Sequence, residues 1–158
     1  MFDVHKIRND FPILRRQVNG KPLVYLDNGA SAQKPQVVID AMNTAYAEEY
    51  ANVHRGLHTL STIATEKYEA VRAKVAQFLN AGSENDIILN SGTTEGINMV
   101  SYGWAAPRMQ AGDEIVLSIM EHHANIVPWH FLRERLGVVI KWVDVDSNGA
   151  VSYTHLRA

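Results

Sequence analysis

Residues 86–145, "DIILNSGTTEGINMVSYGWAAPRMQAGDEIVLSIMEHHANIVPWHFLRERLGVVIKWVDV", decide the fold. "DIILN" (86–90) is a short apolar run of the kind that forms a buried strand. "TTEGINMVSYGWAA" (93–106) reads as a helix stopped by Pro107, and "AGDE" (111–114) as a turn. "EIVLSIM" (114–120) is a second buried strand. "NIVPWHFLRERL" (125–136) is a helix ended by Gly137, and "VVIKWVDV" (138–145) is a third strand. Strand, helix, strand, helix, strand with apolar strands implies a parallel sheet covered on both faces. Ligands of such sheets sit beyond the carboxyl ends of the strands. "SGTTEG" (91–96) and "EHHAN" (121–125) both fall there.

Upstream the pattern is helical. A short helix around Val4 to Arg8 is broken at Pro12, and a polar turn at Asn19-Gly20-Lys21-Pro22 precedes the apolar run "LVYLD" (23–27). Pro35 suits an early helical position, where its missing N–H costs nothing. From there to about Tyr50, Val38, Met42, Ala45 and Tyr46 share one helical face. Ala64, Tyr68, Val71, Val75 and Phe78 recur at steps of four and three, which predicts a second helix with Gly82 just past its end.

Composition limits the function classes. The 158 residues suffice for one domain with a core. A net charge of −2 with both signs interspersed leaves no electrostatic footprint for nucleic acid. No run is long enough to span a bilayer, and the amphipathic start "MFDVHKIRNDFPIL" has no signal-peptide core, so a cytoplasmic location is expected. The absence of cysteine removes disulfides, thiolate metal sites and any thiol nucleophile within these residues.

The motifs then suggest chemistry. In "LNSGTTEGIN" (89–98), Gly92 permits close backbone approach. The N–H groups of Thr93 and Thr94 fall at a helix start, where two hydroxyls and the helix dipole complete a cradle for phosphate. The alternative is a plain N-terminal cap with Glu95 favouring the dipole. His122 and His123 are adjacent, so they point apart and suit one metal ion poorly. His54 and His58 have i, i+4 spacing, but Gly56 lies between them and no metalloprotease pattern accompanies them; no metal site is expected. A histidine at a strand tip can instead lay its ring over a flat cofactor and exchange protons. The competing reading is a partly buried pair capping a helix with Asn125. Gly29 and Ala30 in "YLDNGASAQKP" mark either a loop close to a ligand or a capping turn. Arg55 could pair a carboxylate or phosphate, or be a surface charge.

Together "VHKIRNDFPIL", "YLDNGASAQKPQVVIDAM", "VHRGLHTLS", "GTTEGIN" and "MEHHANIVPW" resemble, in order and spacing, the N-terminal part of SUF-type cysteine desulfurases and the related selenocysteine lyases. These belong to the class V aminotransferase family of pyridoxal-phosphate (PLP) enzymes. The resemblance implies an α/β fold: a truncated large domain of a PLP-dependent transferase (aspartate aminotransferase-like, fold type I) with an N-terminal helical segment. Residues 1–60 are then the N-terminal segment, carrying part of the small domain and active-site loops. Residues 61–150 are a partial PLP-binding large domain, and 151–158 an aberrant or truncated tail.

The resemblance also implies roles. Thr93 and Thr94 would hold the phosphate of pyridoxal 5'-phosphate. His122 would stack on its ring and assist proton transfer, with His123 in support. His54, Arg55 and Ala30 would lie near the substrate and a dimer interface. The implied reaction takes sulfur from L-cysteine (or selenium from L-selenocysteine), giving L-alanine and an enzyme persulfide for iron–sulfur cluster assembly. The implied full-length enzyme is a homodimer that passes sulfur to an acceptor protein. The six lysines (Lys6, Lys21, Lys34, Lys67, Lys74, Lys141) do not occupy the place of the family's cofactor-binding lysine, so this chain alone is expected to be inactive. Two alternatives stay open here: another class V aminotransferase-like lyase, and a non-catalytic domain that binds phosphate ligands.

Overall fold

A computed structural model of the chain describes residues 2–151. The expected aberrant tail, 151–158, lies outside the described residues except for Val151, which forms an isolated antiparallel bridge with Val145. The chain divides into two compact units, one ending at Ile87 and the other beginning at Ile88.

In the first unit, helix α1 spans Val4–Arg8, as the sequence predicts. Asp3 caps it by accepting from the backbone N–H groups of His5 and Lys6. A 3-10 turn, Pro12–Arg15, follows. The expected polar turn is a small hairpin: β1 (Gln17–Val18) and β2 (Lys21–Pro22) pair antiparallel around Asn19 and Gly20. Both turn residues have positive φ, 53° and 72°, the backbone that an Asn-Gly hairpin turn demands. The "LVYLD" run forms no strand among the described residues.

Helix α2, Gln36–Thr44, starts directly after Pro35 and continues into a π-helical segment, Ala45–Glu49. Helix α3, Thr59–Leu79, is the long helix predicted by its apolar spacing. Its end differs from expectation. Asn80, not Gly82, takes the left-handed conformation (φ 55°), and the N–H of Ala81 reaches back to the carbonyl of Ala76. Asn tolerates that conformation because its short polar side chain can bond locally, so the helix stops two residues earlier. Arg72 fastens the following 3-10 turn (Glu84–Asp86): Nε donates to the Ile87 carbonyl and Nη2 to that of Glu84.

"DIILN", which runs from the first unit into the second, departs from expectation. Asp86 closes the 3-10 turn, residues 87–90 belong to no sheet among the described residues, and Ile88 and Leu89 are exposed. A strand exists only when a neighbour accepts its ladder, and none of the described residues provides one. Helix α4, Thr93–Asn98, continues into a π-helical segment, Met99–Ala105, before Pro107. Strands β3 (Glu114–Ser118) and β4 (Val139–Val143) form the expected parallel pair, with Glu114 opposite Val139 and Ser118 opposite Val143. Helix α5, Val127–Leu136, is the crossover between them and ends at Gly137 with φ 76°. The cover over the strands is incomplete among the described residues, for Val116 and Trp142 stay exposed.

The core of this unit joins the π-helical segment, α5 and the start of β4. Ala105, Leu132 and Val138 are buried, and Met109, Ile115, Trp129 and Leu136 pack around them. Ser101 is fully buried in this region, and its hydroxyl donates to the carbonyl of Pro128 on α5. The buried hydroxyl is thus satisfied.

Candidate functional site

The predicted phosphate cradle forms at the amino end of α4. Gly92 stands before the helix with φ 144° and ψ 175°, and a β-carbon placed there would meet nothing within 4 Å. Among the described residues no side chain caps the helix, so its first-turn N–H groups carry no side-chain acceptor there. Thr93 and Thr94 are exposed at that end. The plain-cap alternative, with Glu95 at the dipole, is met only in part. The Glu95 carboxylate turns back to accept from the Ser91 N–H at 2.6 Å and from the Ser91 hydroxyl. Those bonds, the hydroxyl's first, hold its carboxyl below the ordinary glutamate range. Asn90 Oδ1 accepts from the Gly92 N–H at 2.9 Å and fixes the approach to the helix. Sequence reasoning did not pick out Asn90 or Ser91; an Asn two residues before Gly is the signal that could have done so.

The histidine pair sits in a 3-10 turn, His123–Asn125, that follows β3. His122 is the residue before that turn. Its Nδ1 accepts from the Ala124 N–H at 3.1 Å and its carbonyl from the Asn125 N–H at 2.7 Å. His122 therefore caps the 3-10 turn by itself, without His123 or Asn125, and the cap occupies one ring nitrogen only. Both imidazoles are exposed rather than partly buried. Their centroids are 6.1 Å apart and their planes cross at 72°, so the rings face different ways. The His123–Asn125 turn and α4 are direct neighbours. Helix α4 and the histidine pair thus belong to neighbouring elements of the same unit.

Beneath the turn lies a ladder that sequence reasoning missed. Trp129 Nε1 donates to Asn125 Oδ1 at 2.9 Å, and Asn125 Nδ2 donates to Glu121 Oε2 at 2.9 Å. Ser118, the last residue of β3, donates from its hydroxyl to Glu121 Oε1 at 3.0 Å. The Asn125 bond first, then the Ser118 bond, holds the Glu121 carboxyl below the ordinary range. The spacing 121, 125, 129 at steps of four was the available signal.

His54, Arg55 and Ala30 belong to the first unit. His54 adopts φ 67°. Its N–H donates to Thr65 Oγ1 at 2.9 Å, its Nε2 lies 2.7 Å from Glu69 Oε1, and its ring stands edge-on to Tyr68. His54 and Arg72 hold the Glu69 carboxyl low, with the His54 hydrogen bond the largest cause. Arg55 is exposed. Ala30 lies in a turn tied down by Tyr25, whose hydroxyl donates to the Ser31 carbonyl at 2.7 Å.

The family model described as aminotransferase class V matches residues 24–158. The chain belongs to the class V aminotransferase family. Members of this family are PLP-dependent, and its fold type I architecture is the one expected from the sequence. The chain is 52% identical over 157 residues to a cysteine desulfurase of Salmonella gallinarum (strain 287/91 / NCTC 13346), covering 99% of this chain and 39% of that protein. It resembles the apo structure of a cysteine desulfurase from Thermococcus onnurineus NA1, with a TM-score of 0.85 and 34% identity, covering 98% of this chain and 36% of that one. It also resembles the cysteine desulfurase CsdA (S-sulfonic acid) of Escherichia coli, with a TM-score of 0.73 and 39% identity, over 93% of this chain and 36% of that one. The class V chain therefore spans about two fifths of the length of the curated relative. Among its described residues no helix is long and apolar enough to cross a membrane.

Proposed function

We propose that these residues supply the phosphate-holding and ring-facing part of a SUF-type cysteine desulfurase. The reading rests on one observation above others: α4, whose amino end has no side-chain cap among the described residues, is a direct neighbour of the His123–Asn125 turn that follows His122. The donor set fits the coenzyme. Open N–H groups at a helix start, with the threonine hydroxyls of residues 93 and 94, suit a dianionic phosphate. Gly92 leaves clear space at the approach. Glu95 would not compete for the same donors, because its carboxylate is already taken up by Ser91.

Pyridoxal 5'-phosphate, when bound, supplies an electron sink for the carbon–sulfur chemistry of an amino acid substrate. Thr93 and Thr94 hold the phosphate and so fix where the ring lies. His122 presents a flat imidazole whose exchangeable proton sits on Nε2, since its Nδ1 accepts from the Ala124 N–H. His54, Arg55 and Ala30 serve the substrate side and the dimer interface. The substrate is L-cysteine, or L-selenocysteine. Its sulfur passes to a thiol, leaving L-alanine and a persulfide destined for an acceptor protein and iron–sulfur cluster assembly. That thiol lies outside these 158 residues, which contain no cysteine. The 158-residue chain by itself releases no alanine from cysteine, while its homodimeric full-length form does.

The test compares pyridoxal 5'-phosphate with pyridoxal, using fluorescence quenching of the chain. Selective binding of the phosphorylated form, weakened about tenfold in Thr94→Val, is the expected result. Equal binding of both forms, or no effect of Thr94→Val, overturns the phosphate assignment. Alanine release from cysteine by the 158-residue chain, or a visible band from coenzyme bound to one of its lysines at stoichiometric yield, overturns the expected inactivity.

A further inference from the structure

We infer that Glu121, Asn125 and Trp129 form a positioning ladder that fixes the ring of His122 as its Nε2–H tautomer. The role given to His122 rests on the proposed function above; the ladder itself rests on contacts among the chain's own residues.

The chemistry of the three groups leaves one arrangement. An indole N–H can only donate and a carboxylate can only accept. Asn125 stands between the two, so its carbonyl oxygen must face Trp129 and its amide nitrogen must face Glu121, as the distances of 2.9 Å and 2.9 Å require. Amide orientation is often ambiguous, but here both neighbours dictate it. Glu121 receives a second donor, the Ser118 hydroxyl at 3.0 Å, on its other oxygen. The low pKa of its carboxyl agrees with an ionised acceptor held by two donors.

Each end of the ladder is anchored. Trp129 packs against the buried cluster of Ala105, Leu132 and Val138. Ser118 ends β3, which is paired along its length with β4. His122 lies between the tethered residues Glu121 and Asn125, so its backbone has little room to move. Within that turn the Ala124 N–H donates to Nδ1 at 3.1 Å. A backbone N–H has no acceptor capacity, so Nδ1 of the neutral ring must carry the lone pair and Nε2 the proton. The exposed ring edge therefore presents a donor in the resting chain. Any proton that His122 takes up or gives away at a bound ligand must be handled at that atom.

Long-range proton–nitrogen NMR of the whole chain, without coenzyme and at a pH where imidazole is neutral, reads the tautomer directly. The His122 resonances are assigned by their loss in His122→Gln. The expected wild-type spectrum shows an acceptor-type Nδ1 and a protonated Nε2, favoured roughly tenfold, the worth of one ordinary hydrogen bond. In Glu121→Gln the carboxylate becomes an amide that cannot accept from both donors, and the bias should fall toward that of free histidine. Trp129→Phe keeps an aromatic ring against the core and removes the donor. It should lower the bias in the same direction and carries the test if Glu121→Gln fails to give a native near-ultraviolet circular dichroism spectrum. A wild-type ring protonated on Nδ1, or a bias unchanged in folded Trp129→Phe, overturns the inference. Loss of phosphate-selective coenzyme binding with the tautomer bias intact would overturn the functional reading instead and leave the ladder standing.

Discussion

Gly56 is pressed against Ser61: a β-carbon built on Gly56 would stand 2.5 Å from the Ser61 Cβ and 2.5 Å from its Oγ. The two are also bonded. The Gly56 N–H donates to Ser61 Oγ at 3.0 Å, and that hydroxyl donates to the Asn52 carbonyl at 2.6 Å. Ser61 is 1% exposed, so a buried hydroxyl joins Thr65 and Glu69 in docking the loop that carries His54 and Arg55 on α3.

Gly56→Ala should therefore destabilise the chain by about 1–3 kcal/mol, because the Ser61 Cβ is fixed to the helix and cannot swing aside. The Gly56 backbone is not in the left-handed region, so the cost is steric rather than conformational. Ser61→Ala should cost a similar about 1–3 kcal/mol through the buried groups it leaves unpaired. Urea denaturation midpoints measure both, and an unchanged midpoint in Gly56→Ala would show that the loop is not held as described.

Gly92→Ala is the opposite case. Space is open around the site, but φ 144° is a backbone that a residue with a β-carbon rarely adopts. The expected loss is about 1–3 kcal/mol of stability, with phosphate binding weakened as the start of α4 shifts. Thermal melts with and without inorganic phosphate measure the two effects together. Retention of both stability and binding would mean that the junction relaxes freely.

Leu132→Ala removes the centre of the core in the second unit. Leu132 is 0% exposed and packs with Ala105 and Val138, so the loss should be about 2–5 kcal/mol. Chemical denaturation followed by tryptophan fluorescence reads it. A loss under about 1 kcal/mol would point to a site able to collapse around the cavity.

The turn that carries His122 should loosen in acid. The folded-state pKa of Glu121 is depressed by Asn125 and Ser118, so its contribution is fully present above the ordinary glutamate value. That contribution is lost as the pH falls through the lowered folded value. The indole N–H resonance of Trp129 should shift over that acidic range, and Asn125→Ala should abolish the shift. A Trp129 signal indifferent to pH, with the chain still folded, would contradict the ladder.

Local signals were legible from the sequence where the physics is local. The periodic apolar face from Ala64 to Phe78 produced α3, and Pro35 and Pro107 bounded their helices. Gly137 ended α5 as expected, in the left-handed conformation. Asn80 took the role assigned to Gly82, since both residue types tolerate that backbone and only packing selects between them. "DIILN" has strand composition but no ladder partner among the described residues, and a strand is a property of pairs of segments, not of one.

The sequence by itself determined the alternation of β3, α5 and β4, the glycine-preceded threonine pair, and the family to which these motifs point. The tertiary structure alone decided that α4 neighbours the His123–Asn125 turn, that Nδ1 of His122 is occupied, and that Trp129 reaches Glu121 through Asn125. Composition and spacing specify which hydrogen-bonding groups each residue carries. Which groups lie within 3 Å of one another depends on how segments far apart in the chain pack, and that is fixed only when the core around Leu132 closes.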